Sequence, residues 1–130
     1  MNIRLYNKSD YEMIKNWWID SNECPPFEDM LTEDSTFILE MHGKARMCIS
    51  VYMTNCKAIA YLENFIKDPN FKDSNTCSKI LVEHAEKFAK DNGFRHLVCL
   101  SYKEKLKTRY EKLGYSNTLN NLSSFCKELV

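Results

Sequence analysis

The sequence predicts an α/β domain spanning residues 1–130, with a mixed central sheet of about six to seven strands flanked by helices. Three observations predict it. The segment Tyr61–Tyr115 reads strand, polar turn, amphipathic helix, strand, helix, strand. Three apolar runs of strand length, Thr36–Met41, Ala45–Met53 and Ala58–Ile66, are divided by turn residues. Length and composition suit one buried core: 130 residues are 44% hydrophobic and 28% charged, with no linker, repeat or low-complexity segment.

The elements follow in order. Ile3-Arg4-Leu5-Tyr6 alternates and is a first strand. Ser9-Asp10 supplies cap chemistry, and Tyr11, Ile14, Trp17 and Trp18 at helical spacing carry a helix to about Ser21. Glu23-Cys24-Pro25-Pro26 stops it, and the chain to Asp34 is irregular. Thr36–Met41 and Ala45–Met53 form a hairpin about His42-Gly43-Lys44. Ala58–Ile66 is the next strand and ends before Pro69. After the turn Asp68–Thr76, the residues Cys77, Ile80, Leu81, His84, Ala85, Phe88 and Ala89 make one apolar stripe of a helix that Asn92-Gly93 terminates. His96–Leu100 is a buried strand, and Lys103–Leu113 a helix closed by Gly114. Tyr115–Thr118 and Leu122–Cys126 are expected to pair as terminal strands around Asn120-Asn121.

Charge and composition exclude several classes. Eighteen basic residues balance eighteen acidic ones, which argues against bulk binding to nucleic acid or to a membrane surface. No apolar run approaches the roughly 20 residues of a membrane span, and Met1–Tyr6 has no secretory core, so the expected location is the cytoplasm. The six cysteines form no C-x-x-C pair and read as free thiols, three of them (Cys48, Cys99, Cys126) in apolar runs. His42, His84 and His96 lack metal-ligand spacing, so no metal is expected.

The chemistry sits in the later half. A strand that feeds a helix through a polar loop builds an anion site, because the first amides of a helix lack partners within it. The loop reads Lys72-Asp73-Ser74-Asn75-Thr76-Cys77, and the next helix ends in Tyr110-Glu111-Lys112-Leu113-Gly114-Tyr115. With the element order, these motifs resemble the GCN5-related N-acetyltransferases over nearly the whole chain. That family carries R/Q-x-x-G-x-G/A at the loop and Y-E-K-x-G-F after the late helix. Lys72 falls at the Arg or Gln, while Asn75 and Cys77 fall at the glycines; asparagine tolerates positive φ, so Asn75 is expected to stand in for glycine. The Trp17-Trp18 helix end, the Pro-rich loop and the Asp68-Pro69 turn are most similar to a small phage and bacterial branch of the family.

The resemblance implies acetyl-CoA as co-substrate and a small-molecule or protein amine as acceptor, in a monomer or homodimer. It implies a cofactor site of Phe65, Ile66, Lys72, Asp73, Ser74, Asn75, Thr76, Cys77, Ser78 and Lys103. Lys103 opens a basic run, with Lys105, Lys107, Arg109 and Lys112, near the nucleotide's 3′-phosphate. Tyr110 is the implied general acid for the departing thiolate, and Glu63 the candidate base. Under strict alternation Glu63 shares a face with Tyr61 and Phe65. Adjacent helical residues point about 100° apart, so Trp17 follows Ile14 into the core and Trp18 is left to line the acceptor side with Pro26 and Phe27. The glycine-poor loop keeps two other classes open: a non-catalytic binding module acting through protein contacts, and a CoA-binding sensor.

Overall fold

The computed structural model describes residues 1–72, 75–100, 104–118 and 127–129. They fall in two compact units, Met1–Leu100 and Ser101–Val130. In the first, β1 (Asn2–Leu5), α1 (Tyr11–Asp20), β2 (Thr36–Met41), β3 (Lys44–Met53), β4 (Ile59–Lys67), α2 (Asn75–Asp91) and β5 (His96–Val98) follow in order, with short 3-10 turns at Lys8–Asp10 and Glu28–Met30. The second holds α3 (Glu104–Lys112).

Five strands lie in the order β1-β2-β3-β4-β5 among the described residues, all antiparallel except the parallel β4–β5 pair. Of the expected terminal pair, Tyr115–Thr118 adopts no strand, and Leu122–Cys126 lies outside the described residues. The β2–β3 hairpin closes through His42 (φ 52°) and Gly43 (φ 74°), and two successive positive φ angles match the right-handed twist of the strands. Gly93 (φ 87°) ends α2, with the Phe94 amide turned back to the Ala89 carbonyl at 3.1 Å.

The sheet has two covered faces. On one, Ile38 and Cys48 pack with Tyr6, Ile14, Trp17, Leu31 and Ile66 beneath α1. On the other, Phe37 meets His84 and Phe88 of α2 edge-on at 4.7 and 5.0 Å. Leu81, Val82, Ala85 and Ala89 of α2 are buried, so Val82 widens the predicted stripe. Leu81 and Val82 each contribute about 1.5–3 kcal/mol through burial, and the alanine methyls less. Arg4 pins the β1 edge: its guanidinium donates to both Asp10 oxygens at 2.8 and 2.9 Å and to Glu40 at 3.0 Å.

Candidate functional site

The site begins with a break in the pattern of β4. Met47 and Cys48 face Lys67 and Ile66, but Ser50 faces Glu63, so β4 carries one residue more than β3 between these pairs. That residue is absorbed by a bulge at Asn64, whose φ is 54°. The bulge corrects the alternation read from sequence. Residues directly opposed in an antiparallel pair share a face. Glu63 therefore shares a face with Ser50, Tyr61 with Tyr52, and Ile66 with Cys48, while Phe65 turns to the other side. Glu63 and Ile66 both lie on the α1 face.

Around the bulge runs a polar network that sequence reasoning missed. Asn64 Nδ2 donates to the Tyr52 hydroxyl at 2.8 Å and to Ser50 Oγ at 3.3 Å. Ser50 Oγ is 2.9 Å from Thr36 Oγ1, both fully buried. Tyr52 in turn donates to the Met30 carbonyl at 2.9 Å. One signal was available: Glu63-Asn64 places two polar residues side by side between the apolar runs Ile59–Leu62 and Phe65-Ile66.

Glu63 itself is half-buried and makes no ion pair among the described residues. Burial raises its carboxyl above the ordinary carboxylate value. Burial also raises Tyr52; the Asn64 hydrogen bond pulls it back, and the charges of Glu63 and Asp29 push it further up. The hydroxyl of Tyr52 thus feels both the candidate base and the loop before β2.

Just before the bulge β4 loses its β5 neighbour among the described residues. The β4–β5 ladder ends at Tyr61↔Val98, while β4 continues to Lys67. Ile66 is buried in the α1-side core, so what it can offer a ligand is backbone. The turn after β4 is tightly built. The Phe71 amide donates to the Asp68 carbonyl at 2.9 Å, and the Asn70 amide to Asp68 Oδ1 at 2.9 Å. Arg46 grips Asp68 Oδ2 at 2.6 Å and lies over the Phe71 ring, 5.5 Å from its centroid. An open cavity of about 610 Å³ adjoins this turn, lined by Met13, Asn16, Trp17, Asp20, Lys44, Ala45, Arg46, Asp68 and Asn70.

The predicted cofactor residues divide. Lys72 is exposed just before α2, and Thr76 is exposed in its first turn, whose carboxylate-free character suits an anion. Cys77 and Ser78 are buried. Asn75 is the first residue of α2; a helical position has negative φ, so the expected role as a glycine substitute is not what this position asks. Asp73, Ser74 and Lys103 lie outside the described residues. Tyr110 is in the last turn of α3, where its ring meets Tyr115 edge-on at 5.4 Å and its carbonyl accepts from the Leu113 and Tyr115 amides at 3.0 Å.

On the acceptor side Trp17 is core, 6% exposed, and Trp18 is half-buried against the same cluster. Pro26 is tied to α1 through its carbonyl, which accepts from the Tyr11 hydroxyl at 2.9 Å; Phe27 is 72% exposed. Two buried polar atoms there have no partner among the described residues, Tyr6 Oη and Trp18 Nε1. Among those residues no group of three or more His, Cys, Asp or Glu is placed to hold a metal ion, and no helix is long and apolar enough to cross a membrane.

No protein-family model matches the sequence, and no curated protein does. Solved structures do match. The ribosomal-protein-S18-alanine N-acetyltransferase of Escherichia coli aligns at TM-score 0.74 and 18% identity, over 91% of this chain and 79% of that one. A predicted acetyltransferase from Clostridium acetobutylicum, solved with acetyl-CoA, aligns at TM-score 0.70 and 15% identity over 95% of both chains. The N-acetylglutamate synthase of Neisseria gonorrhoeae, complexed with coenzyme A and N-acetyl-glutamate, aligns at 0.68 and 16% identity over 85% of this chain, which spans only 27% of that enzyme. What these likenesses show is the fold, that of the GCN5-related N-acetyltransferases.

Proposed function

We propose that this chain is an acetyltransferase, moving the acetyl group of acetyl-CoA directly to an amine of a small molecule or protein in the cytoplasm. One observation carries the reading: within this fold, a half-buried carboxylate without an ion-pair partner among the described residues stands at a bulge, just past the point where β4 parts from β5. The parted edge of β4 offers backbone to the acyl arm of the co-substrate. The tied turn Asp68–Phe71 and the exposed Lys72 lead to the α2 N-terminus, whose amides suit a pyrophosphate.

Transfer needs no covalent enzyme intermediate. The amine nitrogen attacks the thioester carbonyl as Glu63 takes its proton, directly or through a water. The C–N bond forms, the C–S bond breaks, and the thiolate takes a proton; the family resemblance assigns that donor role to Tyr110. A phenol with ordinary pKa near 10 is matched to a thiolate of similar basicity. Positioning of the two reactants supplies much of the rate.

Calorimetry with acetyl-CoA and thiol release over an amine panel test this reading. Binding with turnover is expected; binding without turnover makes the chain a sensor, and no binding at millimolar acetyl-CoA leaves a binding module. Tyr110→Phe is expected to slow turnover about 10²-fold with CoA affinity retained. Equal rates would remove Tyr110 from the chemistry.

A further inference from the structure

The chain is neutral overall, yet Asp20, Glu23, Glu28, Asp29, Glu33 and Asp34 fall within fifteen residues that contain no Lys or Arg. Such a run is ordinarily a solvated face. This one differs in three respects. First, it is fastened to the reaction centre: the Met30 carbonyl accepts from Tyr52, which accepts from Asn64 at the bulge beside Glu63. Second, its charge is left standing. Asp10 and Glu40 both pair with Arg4 and Asp68 pairs with Arg46, whereas Glu28, Asp29, Glu33 and Asp34 are exposed and make no ion pair among the described residues.

Third, a buried polar atom waits beneath it. Tyr6, 2% exposed, packs in one cluster with Leu31 of this segment, and its hydroxyl has no partner among the described residues. Burial and the charges of Glu28, Asp10 and Glu33 push that hydroxyl up to about 12, so it stays neutral with lone pairs to offer an N–H. A ligand reaching it must part a loop held by two side-chain bonds, Tyr11 to Pro26 and Tyr52 to Met30. Apolar groups are interleaved with the acids: Phe27 and Met30 are 72% and 43% exposed. Carboxylates alternating with apolar surface match ammonium groups alternating with methylene spacers.

We infer that the acceptor is a linear polyamine, its distal ammonium groups held by the acidic segment Asp20–Asp34 and its reacting amine delivered to Glu63. This rests on the acetyl-transfer reading, and it names the substrate class of that same site.

The test uses the whole protein with spermidine, a lysine-rich peptide, glutamate and butylamine as amines, and follows thiol release as salt is raised. Spermidine is expected to give the highest kcat/KM, falling steeply with salt. The double variant Glu28→Gln/Asp29→Asn is expected to raise the spermidine KM three- to tenfold and to flatten its salt dependence. The remote pair Glu83→Gln/Asp91→Asn removes the same charge and is expected to leave both unchanged. Unaltered spermidine KM in the first variant overturns the inference, as does a preference for glutamate or butylamine. A preference for the peptide overturns the small-polyamine assignment. Acetyl-CoA affinity, read separately by calorimetry, shows whether the underlying reading stands. Should it fail, spermidine titration without acetyl-CoA still decides the inference, since binding that the double variant weakens supports it and no binding overturns it.

Discussion

Glu63 and Asp68 are five residues apart along one stretch of chain, and their surroundings are opposite. Asp68 is gripped by Arg46 and accepts the Asn70 amide. Glu63 is half-buried beside a bulge, has no ion-pair partner among the described residues, and is pushed up by burial. A carboxylate that has its cation and its amide holds a turn in place. One left partly desolvated beside a bulge binds a proton more readily than it would in water. On this contrast in pairing we propose Asp68 as a scaffold acid and Glu63 as a working acid, and each half can be tested.

The largest effect is expected at Glu63. Glu63→Gln keeps the volume and removes the base, so turnover should fall about 10²- to 10³-fold. Stability at neutral pH should hold or rise slightly. The sign follows from the raised carboxyl: its stabilising contribution is full below the unfolded value and is lost as pH rises through the folded one, so the ionised form is a burden on the fold near neutrality. The wild-type rate should fall on acidification at a pH above the ordinary carboxylate range, and the variant should lose that limb. Rate profiles and denaturant curves on both proteins check this. An unchanged rate would reassign Glu63 to the scaffold class.

A smaller effect, of the opposite kind, is expected at Asp68. Asp68→Ala strips Arg46 of its partner and the Asn70 amide of its acceptor. Charge-assisted bonds of this sort contribute about 2 kcal/mol together, which lowers the midpoint of thermal unfolding by roughly 5–10 °C. CoA affinity should weaken as the turn into α2 loosens, while the kcat at saturating acetyl-CoA stays close to wild type. A melting curve and calorimetry measure the two. A loss of kcat with full stability would make Asp68 a working acid as well, and the contrast with Glu63 would collapse.

Much of this arrangement was legible in the residues. The apolar stripe Cys77, Leu81, Ala85, Ala89 marked α2, and the Ile14 and Trp17 spacing marked the buried face of α1, because burial of one stripe is what makes those helices stable. The His42-Gly43 hairpin was readable because few residues accept two positive φ angles in succession. What escaped was long-range. Arg46 and Asp68 are 22 positions apart, and Asn64 and Tyr52 are 12 apart. Nothing in local periodicity couples such pairs. The loop position given to Asn75 failed for a related reason: α2 begins two residues earlier than the turn read from sequence, and the asparagines that take positive φ are Asn22, just after α1, and Asn64, inside a strand.

The smallest effect is expected at Asn64 itself, and it separates backbone from side chain. Asn64→Gly preserves positive φ and relieves its mild strain, but removes the bonds to Tyr52 and Ser50. These terms oppose one another, so stability should change by no more than about 1 kcal/mol. If the bulge is what aims Glu63, turnover in the glycine variant should stay within about threefold of wild type. Asn64→Val, which resists positive φ, should then lose far more, because straightening the strand turns Glu63 away from the α1 face. Thermal melts and thermal-matched rates on the two variants give the answer. A 10²-fold loss in Asn64→Gly with the fold intact would mean that the amide side chain acts on the reacting groups, through Tyr52 or directly, and that the working acid at this bulge does not act alone.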